Sequence, residues 1–127
     1  MSMAEGKFAT AINCIDGRTQ NPVSEWIKKN HSADYVDTVT EPGCDKTLLQ
    51  NLEKIDQIKA KVQISINAHG SSLIAIAGHH DCAGNPVSKD EHIAQIKKSV
   101  EIIKSWNLPV KVVGLWVNDQ WKIEQVQ

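Results

Sequence analysis

Leu73-Ile74-Ala75-Ile76-Ala77-Gly78-His79-His80-Asp81-Cys82 is the stretch on which the reading of this chain turns. Its first five residues are continuously apolar, which suits a strand buried on both faces of a sheet. Burial on both faces implies a parallel sheet with helices packed above and below it. The run ends at Gly78 and then delivers a histidine and a cysteine, three positions apart, just beyond the strand's carboxyl end.

Working outward, Lys7 to Cys14 reads as a first strand that stops at the turn-prone Asp16-Gly17. Asn21-Pro22 supplies a cap and a proline at the first helical position. Val23, Trp26 and Ile27 follow at helical spacing, predicting a helix that ends near Asn30. Ala33 to Thr40 reads as a second strand, broken by Glu41-Pro42-Gly43. Asp45 is then expected to cap a helix whose stripe is Leu48, Leu49, Leu52, Ile55 and Ile58. That helix is expected to run, with or without a break, to about His69, where Gly70 closes it. On the other side, Ser88-Lys89-Asp90-Glu91 is a capping box ahead of Ile93, Ile96, Val100 and Ile103, predicting a helix from Ser88 to Trp106. Val110 to Val117 reads as a fourth strand, and Trp121 to Val126 as a short edge strand after the Asn118-Asp119 turn. The alternation predicts an α/β fold: a mainly parallel β-sheet of four to five strands with helices on both faces.

The 127 residues fit a single domain, and 14 basic against 15 acidic side chains leave a net charge of -1. Without a basic cluster there is no phosphate-tracking surface, so no nucleic-acid partner is expected. No apolar stretch approaches the ~20 residues that span a bilayer, so no membrane role is expected either. Met1 to Lys7 lacks a basic-then-apolar leader. Three cysteines do not make a disulfide framework. A reducing cytoplasm, with thiols kept for metal or chemistry, is therefore expected.

In an open parallel sheet, ligands bind beyond the carboxyl ends of the strands. The first strand brings Cys14-Ile15-Asp16-Gly17-Arg18 to that edge, and the third brings His79 and Cys82. If the two strands are neighbours, Cys14, His79 and Cys82 converge as two sulfurs and one imidazole. Zn2+ favours such a set, and three protein ligands leave the open fourth position of a catalytic site. Cys44 follows Pro42-Gly43 at the same edge; if its sulfur joined, the site would become a closed Cys3His structural centre. Taken singly, Cys14 reads as a buried small hydrophobe and Asp16 with Arg18 as a local salt bridge. His80 reads as an exposed loop residue or a proton shuttle, and Asp81 as a residue that caps the loop or solvates it. His31, His69 and His92 read as surface residues at helix ends or on a helix face. The four tryptophans read as packing residues.

Cys14-Ile-Asp16-Gly-Arg18 and Gly78-His79-His80-Asp81-Cys82 resemble the two zinc-binding signatures of the β-class carbonic anhydrases in order, separation and place at strand ends. The resemblance implies that Cys14, His79 and Cys82 ligate zinc and that Asp16 and Arg18 are the hydrogen-bonded pair beside it. It implies reversible hydration of carbon dioxide to bicarbonate by a zinc-bound hydroxide that Asp16 orients. It also implies a homodimer or higher homo-oligomer. Should Arg18 release Asp16, that carboxylate becomes a fourth ligand and closes the site. The chain is shorter than usual members. It has Thr40-Glu41-Pro42-Gly43 where the family shows Arg-Asn-Ala-Gly, and Cys82-Ala83 where it shows Cys-Gly. Two alternatives remain open: a zinc hydrolase of carbon disulfide or carbonyl sulfide on the same fold, and a non-catalytic zinc-binding domain that has lost its substrate pocket. A thiol-redox role lacks a Cys-x-x-Cys motif.

Overall fold

A computed structural model describes residues 5–126; residues 1–4, part of the stretch read for a leader, lie outside it. Five strands and four helices alternate: β1 (Phe8–Asn13), α1 (Gln20–His31), β2 (Tyr35–Thr40), α2 (Cys44–Gln50), α3 (Leu52–His69), β3 (Leu73–His79), α4 (Lys89–Lys104), β4 (Lys111–Val117) and β5 (Ile123–Val126). The strands form one sheet in the order β2-β1-β3-β4-β5, parallel except for the antiparallel β5 edge. The α/β class, the mainly parallel sheet and the helices on both faces are all as the sequence predicts.

The central run explains the layering. Leu73, Ala75 and Ala77 turn to one face with Ala9, Ala11, Val113 and Leu115, and Val23 and Ile27 of α1 cover them. Alanines at four of those positions let the helix lie close to the sheet. Ile74 and Ile76 turn to the other face with Ile12, under Leu48, Ile58, Val62 and Ile103 from α2, α3 and α4. β3 is thus buried at every position. Gly114 gives α4 its closest approach, for a Cβ there would lie 2.6 Å from Ile96.

Local chemistry sets the helix ends. Ser88 Oγ accepts from the Glu91 amide at 3.2 Å, so Ser88 caps the start of α4. The long helix before β3 is broken at Asn51, whose extended backbone ends α2 while its side chain accepts from Lys54 N and starts α3. Asp45 is not the cap of α2. Gly43, in the left-handed region at φ 56°, precedes a helix that begins at Cys44, and Asp45 sits inside the first turn, buried.

The chain passes from β1 outward to β2 and then crosses back to β3 on the other side of β1. That reversal makes the carboxyl edge of β1 and β3 the switch point of the sheet, the usual ligand position in such folds. Cys14 lies one residue past β1, and His79 is the last residue of β3.

Candidate metal centre

Cys14, His79 and Cys82 meet at this edge, with one ligand atom from each lying within 4.8 Å of the others. Among the described residues they form the one such group of three or more histidine, cysteine or acidic side chains. All three are buried. The two sulfurs, 68 residues apart in sequence, lie 4.0 Å apart. Each loop is fixed by its own neighbours. Gln20 Nε2 donates to the Cys14 carbonyl at 2.7 Å and to the Asp16 carbonyl at 3.1 Å. The Asn85 amide donates to the Cys82 carbonyl at 3.2 Å. Gly84 of the Cys82 loop is in backbone contact with Gly43 of the β2–α2 loop, since a Cβ on Gly43 would sit 2.6 Å from the Gly84 oxygen.

The imidazole is set up as a donor ligand. His79 Nδ1 donates to the His80 carbonyl at 2.7 Å, which fixes the tautomer and leaves a lone pair on Nε2. That Nε2 is buried and has no hydrogen-bond partner. A buried acceptor without a partner costs free energy, and a cation between the two sulfurs would relieve it. The thiols are likewise predisposed. Cys82, sharing a proton with Cys14, holds the Cys14 thiol well below its ordinary range against the opposing effect of burial, and His79 adds to this. Cys82 is pushed up by the same sharing. Two sulfurs, one a ready thiolate, and a free imidazole nitrogen fit a borderline-soft divalent ion.

Beside this group, Asp16 Oδ2 is 4.0 Å from His79 Nε2. Arg18 holds the carboxylate in a fork, Nη2 to Oδ2 at 2.7 Å and Nε to Oδ1 at 3.1 Å, while the Arg18 amide donates to Oδ1 at 2.9 Å. This keeps the Asp16 carboxyl down at about 2, below the usual carboxylate range, so it is an acceptor throughout the neutral range.

Cys44 is not part of the group. Its thiol points into the sheet and donates to the Ala77 carbonyl at 3.1 Å. Burial and the Asp45 carboxylate push it well up, so it stays a thiol. His80 is exposed at the rim. Asp81, expected to cap or solvate its loop, is exposed and also reaches Arg18, at 3.2 Å from Nη1.

His92 departs from its expected place on the surface. It is 1% exposed and pairs through Nδ1 with Asp45 Oδ2 at 2.5 Å, while Asn85 Nδ2 donates to Asp45 Oδ1 at 3.0 Å and to Gln95 Oε1 at 2.6 Å. These buried polar groups tie α2 and α4 to the loop that carries Cys82. His92 stands four residues before Ile96 and eight before Val100, on the buried stripe of α4, so helical periodicity contained this signal. Trp121 packs against the core as expected, and it also lays its ring over the Arg18 guanidinium, 4.4 Å from carbon to ring centre. Nothing in the local sequence of either residue announces that contact.

The fold and this cluster together define an α/β protein of the β-carbonic-anhydrase type. The sequence matches the family described as "Putative carbonic anhydrase" over residues 4–127, and the chain belongs to that family. Among solved structures, a carbonic anhydrase from Glaciozyma antarctica is similar with a TM-score of 0.62 at 13% identity, over 93% of this chain and 81% of that one. The apo, selenomethionine form of a carbon disulfide hydrolase is similar with a TM-score of 0.62 at 14% identity, over 96% of this chain and 80% of that one. At such identities the likeness is one of fold. Curated protein sequences yield no match. No helix among the described residues is long and apolar enough to cross a membrane.

Proposed function

We propose that this chain is a zinc enzyme that hydrates carbon dioxide reversibly to bicarbonate and a proton. Cys14, His79 and Cys82 hold the ion. Bound there, Zn2+ supplies the Lewis acidity that makes hydroxide available near neutral pH. Asp16, ionised and acceptor-only, takes a hydrogen bond from the attacking oxygen and aims its lone pair at the substrate carbon. Arg18 keeps that carboxylate in place and off the metal. The observation that carries this reading is the partnerless His79 Nε2, facing two thiols and 4.0 Å from a carboxylate that arginine holds fixed. Three free thiols suit a reducing compartment such as the cytoplasm, and pairing of copies goes with the family reading.

Zinc-loaded protein is expected to hydrate carbon dioxide in a stopped-flow indicator assay. Asp16→Ala is expected to lower the rate by roughly 100-fold, the scale of a positioned proton acceptor, with bound zinc unchanged. No stoichiometric metal, or equal rates in the two proteins, would overturn the proposal. Similarity of equal TM-score to a carbon disulfide hydrolase supports a second substrate class for the same centre. Carbon disulfide and carbonyl sulfide belong in the same assay, where a faster reaction with either would reassign the substrate. Full zinc occupancy with no turnover of any of the three would make the domain a non-catalytic zinc binder.

A further inference from the structure

Arg18 is held by three residues, one from its own loop and two from other loops. Asp16 takes the fork described above, Asp81 offers Oδ2 at 3.2 Å and its carbonyl at 3.1 Å, and Trp121 covers the guanidinium face. The tryptophan comes from the turn between β4 and β5. Its backbone is left-handed, φ 59°, a conformation that bulky side chains rarely adopt and that structures retain where the surroundings enforce it. Asn118 does the enforcing. Its amide donates to the Lys122 carbonyl, its carbonyl accepts from Trp121 N, and its Oδ1 accepts from Gln120 N and Lys122 N, all within 2.9–3.0 Å. The ring so aimed also lies within 6.4 Å, centre to centre, of the His79 imidazole.

We propose that Trp121 is a positioning residue for the metal centre: its ring clamps the Arg18 guanidinium and so holds Asp16 off the metal. The physical reason is the attraction of a cation to the negative face of an aromatic ring, strongest for tryptophan. Arg18 stays half-exposed even with the ring over it, its side chain 46% accessible, and surface ion pairs alone are weakly held. Asp16 Oδ2, 4.0 Å from His79 Nε2, needs only a short shift to compete for the ion once the guanidinium is loose. The inference rests on the proposed roles of Asp16 and Arg18. A purely structural role would make Trp121 an apolar plug over the sheet end, which leucine could replace.

The test is azide binding to cobalt(II)-loaded protein, read by visible absorption, because an added anion needs the coordination position that Asp16 would take. Trp121→Leu is expected to weaken azide binding about tenfold, the worth of one partly desolvated cation–ring contact. Trp121→Phe should restore most of it. In an Asp16→Ala background, Trp121→Leu should have no effect. Equal azide affinity of Trp121→Leu and the parent would overturn the proposal, as would a loss that persists without Asp16. If Trp121→Leu fails to fold, the parent alone still decides by NMR. The Arg18 Nε–H resonance is expected upfield-shifted and slow to exchange; a free-arginine shift with fast exchange sinks the idea. Neither readout requires turnover, so failure here is distinguishable from absence of carbon dioxide hydration.

Discussion

A cysteine one residue past Gly43 lies at the same sheet edge as Cys14, yet its sulfur faces the Ala77 carbonyl rather than the cluster. Its contribution is to packing beneath α2, where it is 1% exposed. Cys44→Ser is therefore expected to leave zinc stoichiometry unchanged, whereas Cys14→Ser should abolish it; atomic absorption on dialysed protein checks both. Asp16 allows a second prediction for the metal-free protein. Its carboxyl titrates near 2 in the fold, through Arg18, against 3.8 ordinarily. The unfolded chain thus takes up the proton first as acid is added. The stabilisation is complete above about pH 4 and is lost as pH falls from 4 to 2. Asp16→Asn should flatten that part of the pH dependence in urea denaturation measured at steps from pH 5 to 2. An unchanged slope would show that Arg18 does not hold the carboxylate. The meeting of Cys14, His79 and Cys82 is legible in the sequence because these side-chain types crowd two short stretches at strand ends, and so is the pair Asp16 and Arg18, two residues apart. Cys44 was not decided by sequence, since proximity to an edge does not say which way a side chain turns.

Between elements, the most consequential contact is the pair Asp45 and His92, both 1% exposed, joining α2 to α4 beneath the Cys82 loop. A buried carboxylate is tolerated only when its partners are complete. Removing His92 with an apolar residue of similar size, His92→Leu, should destabilise the protein by roughly 3–5 kcal/mol, the cost of an abandoned buried charge. Chemical denaturation measures this, and a loss under 1 kcal/mol would mean that Asp45 finds another partner. Asp45 and His92 were read from the sequence as a cap and a surface residue because both types usually stand there. Their burial depends on Gly78, where a Cβ would lie 2.6 Å from Asp45 Oδ2. A glycine interrupting the bulky run of a fully buried strand is the trace that such a group leaves. The strands and helices themselves were legible from their own periodicities, including α4 from its capping box. The break at Asn51 is not legible, because the leucine stripe crosses it without interruption.

Across the whole molecule, the cluster joins chain segments that meet only through the sheet order β2-β1-β3. A ligand that binds the folded state alone adds RT ln(1 + [L]/Kd) to stability. Free zinc at 100 times its dissociation constant should raise the melting temperature by about 10 °C, from ~2.7 kcal/mol in a domain of this size. Scanning calorimetry with zinc, then with a chelator, checks this; no shift would mean that the ion does not select the fold. The sheet order was not legible in the chain. Periodicity marks each strand but not its neighbours, and the pairing of Arg18 with Trp121 depends on how β5 returns along β4. The meeting of Gly43 with Gly84 carries its own consequence. With backbones in contact there, even one methyl group on either glycine would push the two loops apart, and the loop after β3 would carry the Cys82 sulfur away from Cys14.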